Sequence, residues 1–194
     1  MSVNSICWNC ENVIPPNVFI CQKCNKIQPP KQVDEFKLMG ISETFDLDLD
    51  ELEKAYLKLQ QLFHPDKYSQ LSDQEIKYST LLSSMINEAY QKLNSSISRA
   101  TILLKLNGFN PHSEDKSFND PGVLEEIMDI QNEFLEAESS EQKKLSIQKL
   151  NLKISETMKN LSISFKNKEY AIANKLNVKL SYLEKIRIDF KKQL

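Results

Sequence analysis

The sequence predicts an all-α protein, a helical hairpin followed by a three-helix bundle, with a small four-cysteine module in front. Apolar residues recur at steps of three and four along most of the chain, while runs of Val and Thr typical of strands are scarce. Glycine, which weakens helices, occurs only 3 times in 194 residues. All four cysteines precede the helical patterns, so we expect them to form a separate module.

The composition narrows the classes of partner. The chain carries 25 Lys and Arg against 27 Asp and Glu, which gives a formal net charge of −2. Because there is no global basic field, we expect no nucleic-acid partner. No apolar run approaches the roughly 18 residues of a membrane-spanning helix, so we expect no membrane partner either. Residues 1–6 are too few for a signal or transit peptide before the first cysteine.

The N-terminal module contains two paired cysteine knuckles. Cys7 and Cys10, then Cys21 and Cys24, form the pattern C-x2-C-x10-C-x2-C. Four thiolates saturate one tetrahedral zinc ion, which predicts a structural zinc site in a zinc-ribbon-like module over residues 1–30. Iron in a rubredoxin-like cage is the less favoured metal, and disulfides or a redox pair stay open. A module this short depends on its metal for most of its folding free energy.

Short helices and helix boundaries follow from glycine, proline and capping residues. Pro29 and Pro30 predict a stiff linker, and Gly40 ends a brief first helix. Asp48 predicts the start of a long second helix, whose first turn is acidic as the helix dipole prefers. A fourth helix should run from about Ser96 through Leu106.

The second and third helices should form a hairpin around His64-Pro65-Asp66. Pro65 lacks the N–H that would continue the second helix and pushes His64 out of the α region, so this helix should end there. The string 72–75, Ser-Asp-Gln-Glu, predicts a capping box that opens the third helix. One face of the second helix is apolar and should be buried. Its members are Leu49, Leu52, Tyr56, Leu59 and Phe63.

The C-terminal part predicts a bundle of three long helices over residues 119–194, after a polar hinge at 109–119. Asp120 at the N-cap and Pro121 at the first helical position mark the start of the first of these helices. The second follows the string 139–142. The third takes its apolar positions from Ile172, Leu176, Leu183, Ile186 and Phe190.

Several strings in this order resemble the J-domain, the module by which DnaJ-type co-chaperones engage DnaK-type heat-shock chaperones. Together they are similar to the HscB branch, whose members serve iron–sulfur cluster assembly. The HscB relatives of animals also carry an N-terminal four-cysteine module. The matching strings are Phe36–Gly40, Asp46–Leu52, His64–Lys67, Ile86–Tyr90 and Ser98–Ala100.

The resemblance implies a J-domain at 34–108 that stimulates the chaperone's ATPase through His64, Pro65 and Asp66. Basic side chains on the preceding helix would steer it to an acidic chaperone surface, and Lys54 and Lys58 are the candidates. Read without the resemblance, His64 and Asp66 would serve only as helix caps. They do not form a catalytic dyad, because no nucleophile in a recognisable context accompanies them.

The resemblance also implies that the C-terminal bundle binds an IscU-type scaffold protein. The family uses exposed apolar residues of the bundle for this contact, and Leu124, Met128 and Tyr182 are the matching positions. The alternative is that each belongs to the core, as a Leu or Met at helical spacing usually does.

We therefore expect a co-chaperone of iron–sulfur cluster biogenesis that is not itself an enzyme. One alternative is a J-domain co-chaperone for a different client. Another makes the N-terminal ribbon the active part, as a nucleic-acid reader or an iron electron carrier. The resemblance implies a mitochondrial location, whereas the lack of an evident transit peptide favours the cytoplasm.

Overall fold

A computed structural model describes residues 4–109 and 121–192. Across these residues the chain forms seven α-helices and two short strands, which confirms the predicted all-α class with a small ribbon-like module. The chain divides into two compact units, residues 1–95 and residues 96–194. None of the described helices combines the length and the apolar character that crossing a membrane requires.

The first unit begins with the four-cysteine module. Strands β1 (Ser5–Ile6) and β2 (Val13–Ile14) pair antiparallel. A single bridge between Ile20 and Ile27 repeats this turn at the second cysteine pair. The core of the module is largely sulfur. It consists of buried Cys7, Ile14 and Cys21, with Cys10, Val18 and Cys24 packed against them.

The rest of the first unit is the predicted hairpin. It contains α1 (Glu35–Met39), α2 (Leu49–Phe63), a short 3-10 helix (Pro65–Tyr68) and α3 (Asp73–Asn94). The caps lie where the sequence predicts them. The Asp48 carboxylate accepts N–H bonds from residues 50 and 51 at the start of α2, and Ser72 forms a capping box with Glu75 at the start of α3.

The buried face of α2 is narrower than its apolar pattern predicts. Leu52 and Phe63 are buried, but the side chain of Leu49 is 49% exposed. Leu49 is the first residue of the helix. On the opposite helix, Leu81 also continues the apolar pattern and is 43% exposed. Helical spacing therefore overstated how much of each helix the hairpin can bury, because two helices cover only one stripe of each other.

The second unit consists of α4 (Ser96–Leu106), α5 (Pro121–Leu135), α6 (Ser140–Lys166) and α7 (Tyr170–Lys191). The helices α5 to α7 are the predicted bundle, whereas the predicted cap at Asp120 and most of the predicted hinge lie outside the described residues. The buried apolar side chains of the bundle are Ile127, Phe134, Ile147, Leu150, Ile154, Leu161, Ala173, Leu180, Leu183, Ile186 and Phe190. Ile172, which the sequence assigned to the apolar stripe of α7, is 50% exposed in the first turn.

The fourth helix packs within the second unit. The amide nitrogen of Asn177 on α7 donates to the Thr101 hydroxyl at 3.1 Å, and the Tyr170 hydroxyl donates to the Asn107 side chain at 2.7 Å. The J-domain expected from the sequence, residues 34–108, includes α4. The compact division of the chain falls between residues 95 and 96, so α4 lies in the second unit. Helical periodicity locates a helix and is silent about which neighbour covers its apolar face.

Candidate functional site

The four cysteine sulfurs lie together as one cluster. All four Sγ atoms are within 4.8 Å of one another. Cys7 Sγ is 3.7 Å from Cys24 Sγ, and Cys10 Sγ is 3.6 Å from Cys21 Sγ. A tetrahedral ion with metal–sulfur bonds of about 2.3 Å requires sulfurs about 3.8 Å apart, so the spacing fits a four-thiolate metal site. The described chain therefore has a closed set of four soft ligands.

The two knuckles have the same backbone geometry. Glu11 donates its N–H to the carbonyl of Cys7 at 3.0 Å, and Asn25 donates to the carbonyl of Cys21 at 2.8 Å. Glu11 has φ of 57° and Asn25 has φ of 56°, a left-handed conformation that Asn tolerates better than most residues. Each knuckle thus turns tightly enough to aim both of its sulfurs at one point.

The pKa values of the cysteine thiols favour the binding of a cation. Burial raises the pKa of the Cys7 thiol, but bonds from the N–H groups of Asn9 and Cys10 outweigh it, so this pKa falls to about 6. The pKa of Cys21 is also lowered, because backbone N–H bonds within its knuckle outweigh burial. The N–H of Asn12 lowers the pKa of Cys10, but burial and the neighbouring sulfurs raise it to about 12. The cluster ionises fully when a cation shares the charge.

Two side chains that the sequence analysis did not single out support the cluster. Gln28, buried to 1% exposure, donates from Nε2 to Cys7 Sγ at 3.3 Å and to the carbonyl of Lys26 at 2.9 Å. The indole N–H of Trp8 donates to the carbonyl of Ile27 at 2.7 Å. Cysteine spacing carries no signal for either residue, because the motif specifies only its cysteines: Trp8 occupies an unspecified position within it, and Gln28 lies beyond it.

His64, Pro65 and Asp66 form the turn between the two helices of the hairpin. Helix α2 ends as predicted, with His64 in an extended conformation (φ −59°, ψ 129°) and its N–H donating to the carbonyl of Gln60 at 2.9 Å. The N–H of Asp66 donates to Nδ1 of His64 at 3.3 Å. This bond orients the imidazole, whose Nδ1 also lies 3.5 Å from Oδ2 of Asp66.

The turn displays its polar side chains to solvent. The side chain of His64 is 52% exposed and that of Asp66 is 90% exposed. The backbone beneath them is held by local bonds: the N–H of Lys67 donates to the carbonyl of His64 at 3.0 Å, and the Ser69 hydroxyl donates to the carbonyl of Asp66 at 2.8 Å. The Tyr68 hydroxyl donates back to the carbonyl of Leu62 at 3.1 Å. The result is a structured loop with exposed functional groups.

Lys54 and Lys58 both lie on the exposed surface of α2, one turn apart. Glu51 and Glu53 are also exposed on this helix, so its charge is mixed. Leu57 and Leu62 were not among the predicted site residues, and they are 50% and 42% exposed on the same helix. They fall outside the apolar stripe of α2. Apolar residues beyond the one stripe that a helix buries are the sequence signal that identifies them.

Polar bonds join the two helices of the hairpin. The Oδ1 atom of Asn87 on α3 accepts from the Tyr56 hydroxyl at 3.0 Å and from the Gln60 amide at 2.6 Å. The Tyr56 ring stacks on Tyr90 with centroids 4.3 Å apart. Because directional bonds fix the register between the helices, they also fix the two ends of the loop that joins them.

The candidate scaffold residues are accessible in the second unit. Leu124 is 40% exposed and Met128 is 60% exposed, and they lie one turn apart on α5. Ile127 takes the core position of the same helix with 6% exposure. Tyr182 lies partly exposed on α7, which packs against α5. Leu124 and Met128 are therefore outside the core of the bundle.

Ion pairs to Glu126 link the three helices of the bundle. Its carboxylate lies 2.6 Å from the Lys153 ammonium on α6 and 2.5 Å from the Lys179 ammonium on α7. Burial raises the pKa of this carboxyl, but the two lysines outweigh burial and hold the pKa below its usual range. No sequence pattern predicts this site, because its charges come from three different helices.

Comparisons with known proteins agree with this geometry. The family described as the HSCB C-terminal oligomerisation domain matches residues 119–191. The chain is 33% identical over 184 residues to the human iron–sulfur cluster co-chaperone protein HscB, covering 93% of this chain and 78% of the human protein. It is 30% identical to an Arabidopsis thaliana homologue, covering 97% of this chain and 74% of that protein.

A solved structure extends the similarity to the fold. The crystal structure of the human co-chaperone HscB matches with a TM-score of 0.89 and 32% identity, covering 97% of this chain and 98% of that one. The resemblance inferred from the sequence strings is thereby confirmed. The chain belongs to the HscB family of iron–sulfur cluster co-chaperones.

Proposed function

We propose that this protein binds an IscU-type scaffold and stimulates the ATPase of a DnaK-type chaperone, which promotes transfer of the cluster to recipient proteins. The observation that carries the proposal is the exposure of His64 and Asp66 on a structured turn at the end of a helical hairpin. We propose that residues 34–108 act as the J-domain and residues 119–194 as the scaffold-binding bundle.

The protein supplies binding energy and no covalent chemistry. In the proposed mechanism, His64, Pro65 and Asp66 contact the chaperone and favour its hydrolysing, client-clamping state. Lys54 and Lys58 steer the hairpin toward an acidic surface of the chaperone, which raises the association rate more than the affinity. The bonds within the turn keep its polar groups in one arrangement, so little conformational entropy is lost on binding.

The scaffold contact is apolar. Leu124 and Met128 form an exposed pair on α5, and a partner that covers them removes their area from water. Tyr182 on α7 supplies an aromatic ring with a polar tip, the type of side chain that is enriched in protein interfaces. We propose these three residues as the scaffold-binding site.

We further propose that the ion held by Cys7, Cys10, Cys21 and Cys24 is zinc in a structural role. Four thiolates leave no coordination position open for a substrate. Iron is the alternative, and metal analysis of the purified protein separates the two by element. A red iron centre visible in the absorption spectrum would overturn the zinc assignment.

We propose a mitochondrial location on the basis of the family, with the cytoplasm as the alternative, and microscopy of the tagged natural protein distinguishes them.

The test of the function is the steady-state ATPase rate of a mitochondrial DnaK-type chaperone with this protein, with and without an IscU-type scaffold. We expect stimulation by the protein alone and a larger, synergistic effect with scaffold. A His64→Gln variant should lose both effects while keeping its helical circular dichroism, because His64 is exposed and not part of the core. Stimulation without any effect of scaffold would retain the J-domain assignment and contradict the scaffold assignment in favour of another client.

A further inference from the structure

We propose that Phe19, Lys26 and Trp8 of the four-cysteine module are positioning residues for the His64-Pro65-Asp66 turn, because they hold both helices that flank it. When the module folds around its metal, these residues are held in place, and they in turn hold the helices on both sides of the turn. The inference rests on the proposed function of the turn but has a readout that needs no chaperone.

The first contact is at the end of α2. The rings of Phe19 and Phe63 meet edge to face, with centroids 6.1 Å apart and planes at 84°. Phe19 is 7% exposed and Phe63 is 4% exposed. Phe63 immediately precedes His64, so this aromatic pair fixes the residue from which the turn departs.

The second contact is at the start of α3. The Lys26 ammonium lies 3.0 Å from both carboxylate oxygens of Glu75, whose exposure is 3%. The same carboxylate accepts bonds from the N–H and hydroxyl of Ser72, at 3.3 and 2.7 Å, and so caps the helix. A buried carboxylate is costly without a partner, so Lys26 secures the point where the chain re-enters a helix.

The third contact lies one turn further along α3. The Trp8 ring meets Tyr78 edge to face, with centroids 6.3 Å apart. The indole is anchored inside the module by its N–H bond to the carbonyl of Ile27. The module therefore contacts α2 through Phe19 and α3 through Lys26 and Trp8, on the two sides of the turn.

Each of the three contact residues is close in sequence to a sulfur ligand. Trp8 follows Cys7 directly, Phe19 comes two residues before Cys21, and Lys26 comes two residues after Cys24. Four of the six side chains in the buried cluster of the module are the sulfur ligands themselves. Its fold depends on the metal, so loss of the metal should release the contact residues together. The turn would then be held by its own short-range bonds and by the hydrogen bonds between α2 and α3.

Release of the contact residues should lower the fraction of molecules whose turn is in the arrangement that binds the chaperone. If only a fraction of the molecules have the turn in the binding arrangement, the apparent affinity for the chaperone falls by that fraction. The expected signature is therefore a higher concentration of co-chaperone at half-maximal stimulation, with the same maximal rate. If the module stabilised only its own fold, its release would leave the concentration of co-chaperone at half-maximal stimulation unchanged.

The test compares Lys26→Met with Lys23→Met in the full chain. Both substitutions remove one lysine charge from the same module, but Lys23 lies exposed on the second knuckle. We expect both proteins to keep one bound metal per chain. In Lys26→Met, the amide hydrogens of Lys67 and Leu71 should exchange about tenfold faster than in the control, because an uncompensated buried carboxylate weakens the start of α3. Half-maximal chaperone stimulation should require about fivefold more protein.

A second arm uses the wild-type chain and the milder variant Phe19→Leu. Stripping the metal with a chelator should accelerate exchange at Lys67 and Leu71, and adding zinc back should restore it. Phe19→Leu keeps an apolar side chain but removes the edge-to-face ring contact, and should accelerate exchange with metal still bound. If amide exchange in the turn is the same in the metal-free protein and in both variants as in the controls, the positioning role is wrong. If wild type and His64→Gln stimulate the chaperone equally, the proposed function fails, and the exchange measurement still decides the positioning role.

Discussion

The amide nitrogen of Gln60 on α2 lies 2.6 Å from Oδ1 of Asn87 on α3, and the Tyr56 hydroxyl reaches the same oxygen at 3.0 Å. One acceptor thus receives two donors from the opposite helix. Gln60 is also the residue whose carbonyl accepts the N–H of His64. The helix pairing and the start of the exposed turn therefore share a residue.

Replacing Asn87 by Ala should weaken the hairpin. Both donors lose their partner but gain water, because the site is near the surface, so we expect a loss of about 1 kcal/mol in the free energy of unfolding. Urea denaturation followed by circular dichroism measures this loss. Asn87→Asp keeps an acceptor oxygen and is the matched control. A loss of equal size in both variants would show that the two hydrogen bonds to Oδ1 are not its cause.

Acid should destabilise the C-terminal bundle through Glu126. Lys153 and Lys179 hold the pKa of this carboxyl below its usual range in the folded protein. Its contribution is therefore present above the ordinary carboxyl pKa and is lost as the pH falls through the lowered folded pKa. The free energy of unfolding, measured from about pH 6 to about pH 3, should fall less steeply with decreasing pH in Glu126→Gln than in the wild type. Glu133→Gln alters an exposed pair with Lys149 on the same helices and should change little.

Replacing Leu124 and Met128 together by Ser should abolish scaffold binding and leave the bundle folded. Both side chains are exposed, and each buried Leu or Met contributes about 1.5 to 3 kcal/mol to an apolar contact, so we expect a loss of affinity of more than about tenfold. Titration calorimetry with an IscU-type scaffold measures it. Leu152→Ser, at a site on α6 that is 71% exposed, is the control and should bind normally. Collapse of the double variant would instead place these residues in the core.

Loss of one sulfur should remove the metal and unfold the N-terminal module. Cys21 is fully buried among the other ligands, so Cys21→Ser leaves a three-sulfur site around a weaker fourth donor. We expect less than one metal per chain by elemental analysis, while the helical circular dichroism of the rest of the chain persists. Cobalt substitution provides the spectroscopic check, since four thiolates give a tetrahedral spectrum that the variant should lack. Full metal content in Cys21→Ser would contradict the four-sulfur site.

The amino-acid sequence by itself determined the local structure of this protein. Pro65 ends α2 because its ring removes a donor and restricts His64, and Ser72 with Glu75 begins α3 because the pair satisfies orphan N–H groups. The knuckle spacing likewise identified all four sulfurs, since two turns of equal geometry aim them at one point. Each helix boundary and each cysteine knuckle depends on residues within a few positions of one another.

Only the tertiary structure decided which surfaces meet. It assigned Glu75 a partner, Lys26, that is 49 residues away in sequence, and gave Phe63 the ring of Phe19. It also left Leu49 exposed where helical spacing predicted burial. The physical reason is that periodicity defines one apolar face for each helix, whereas burial depends on the shape and charge of whatever packs against that face.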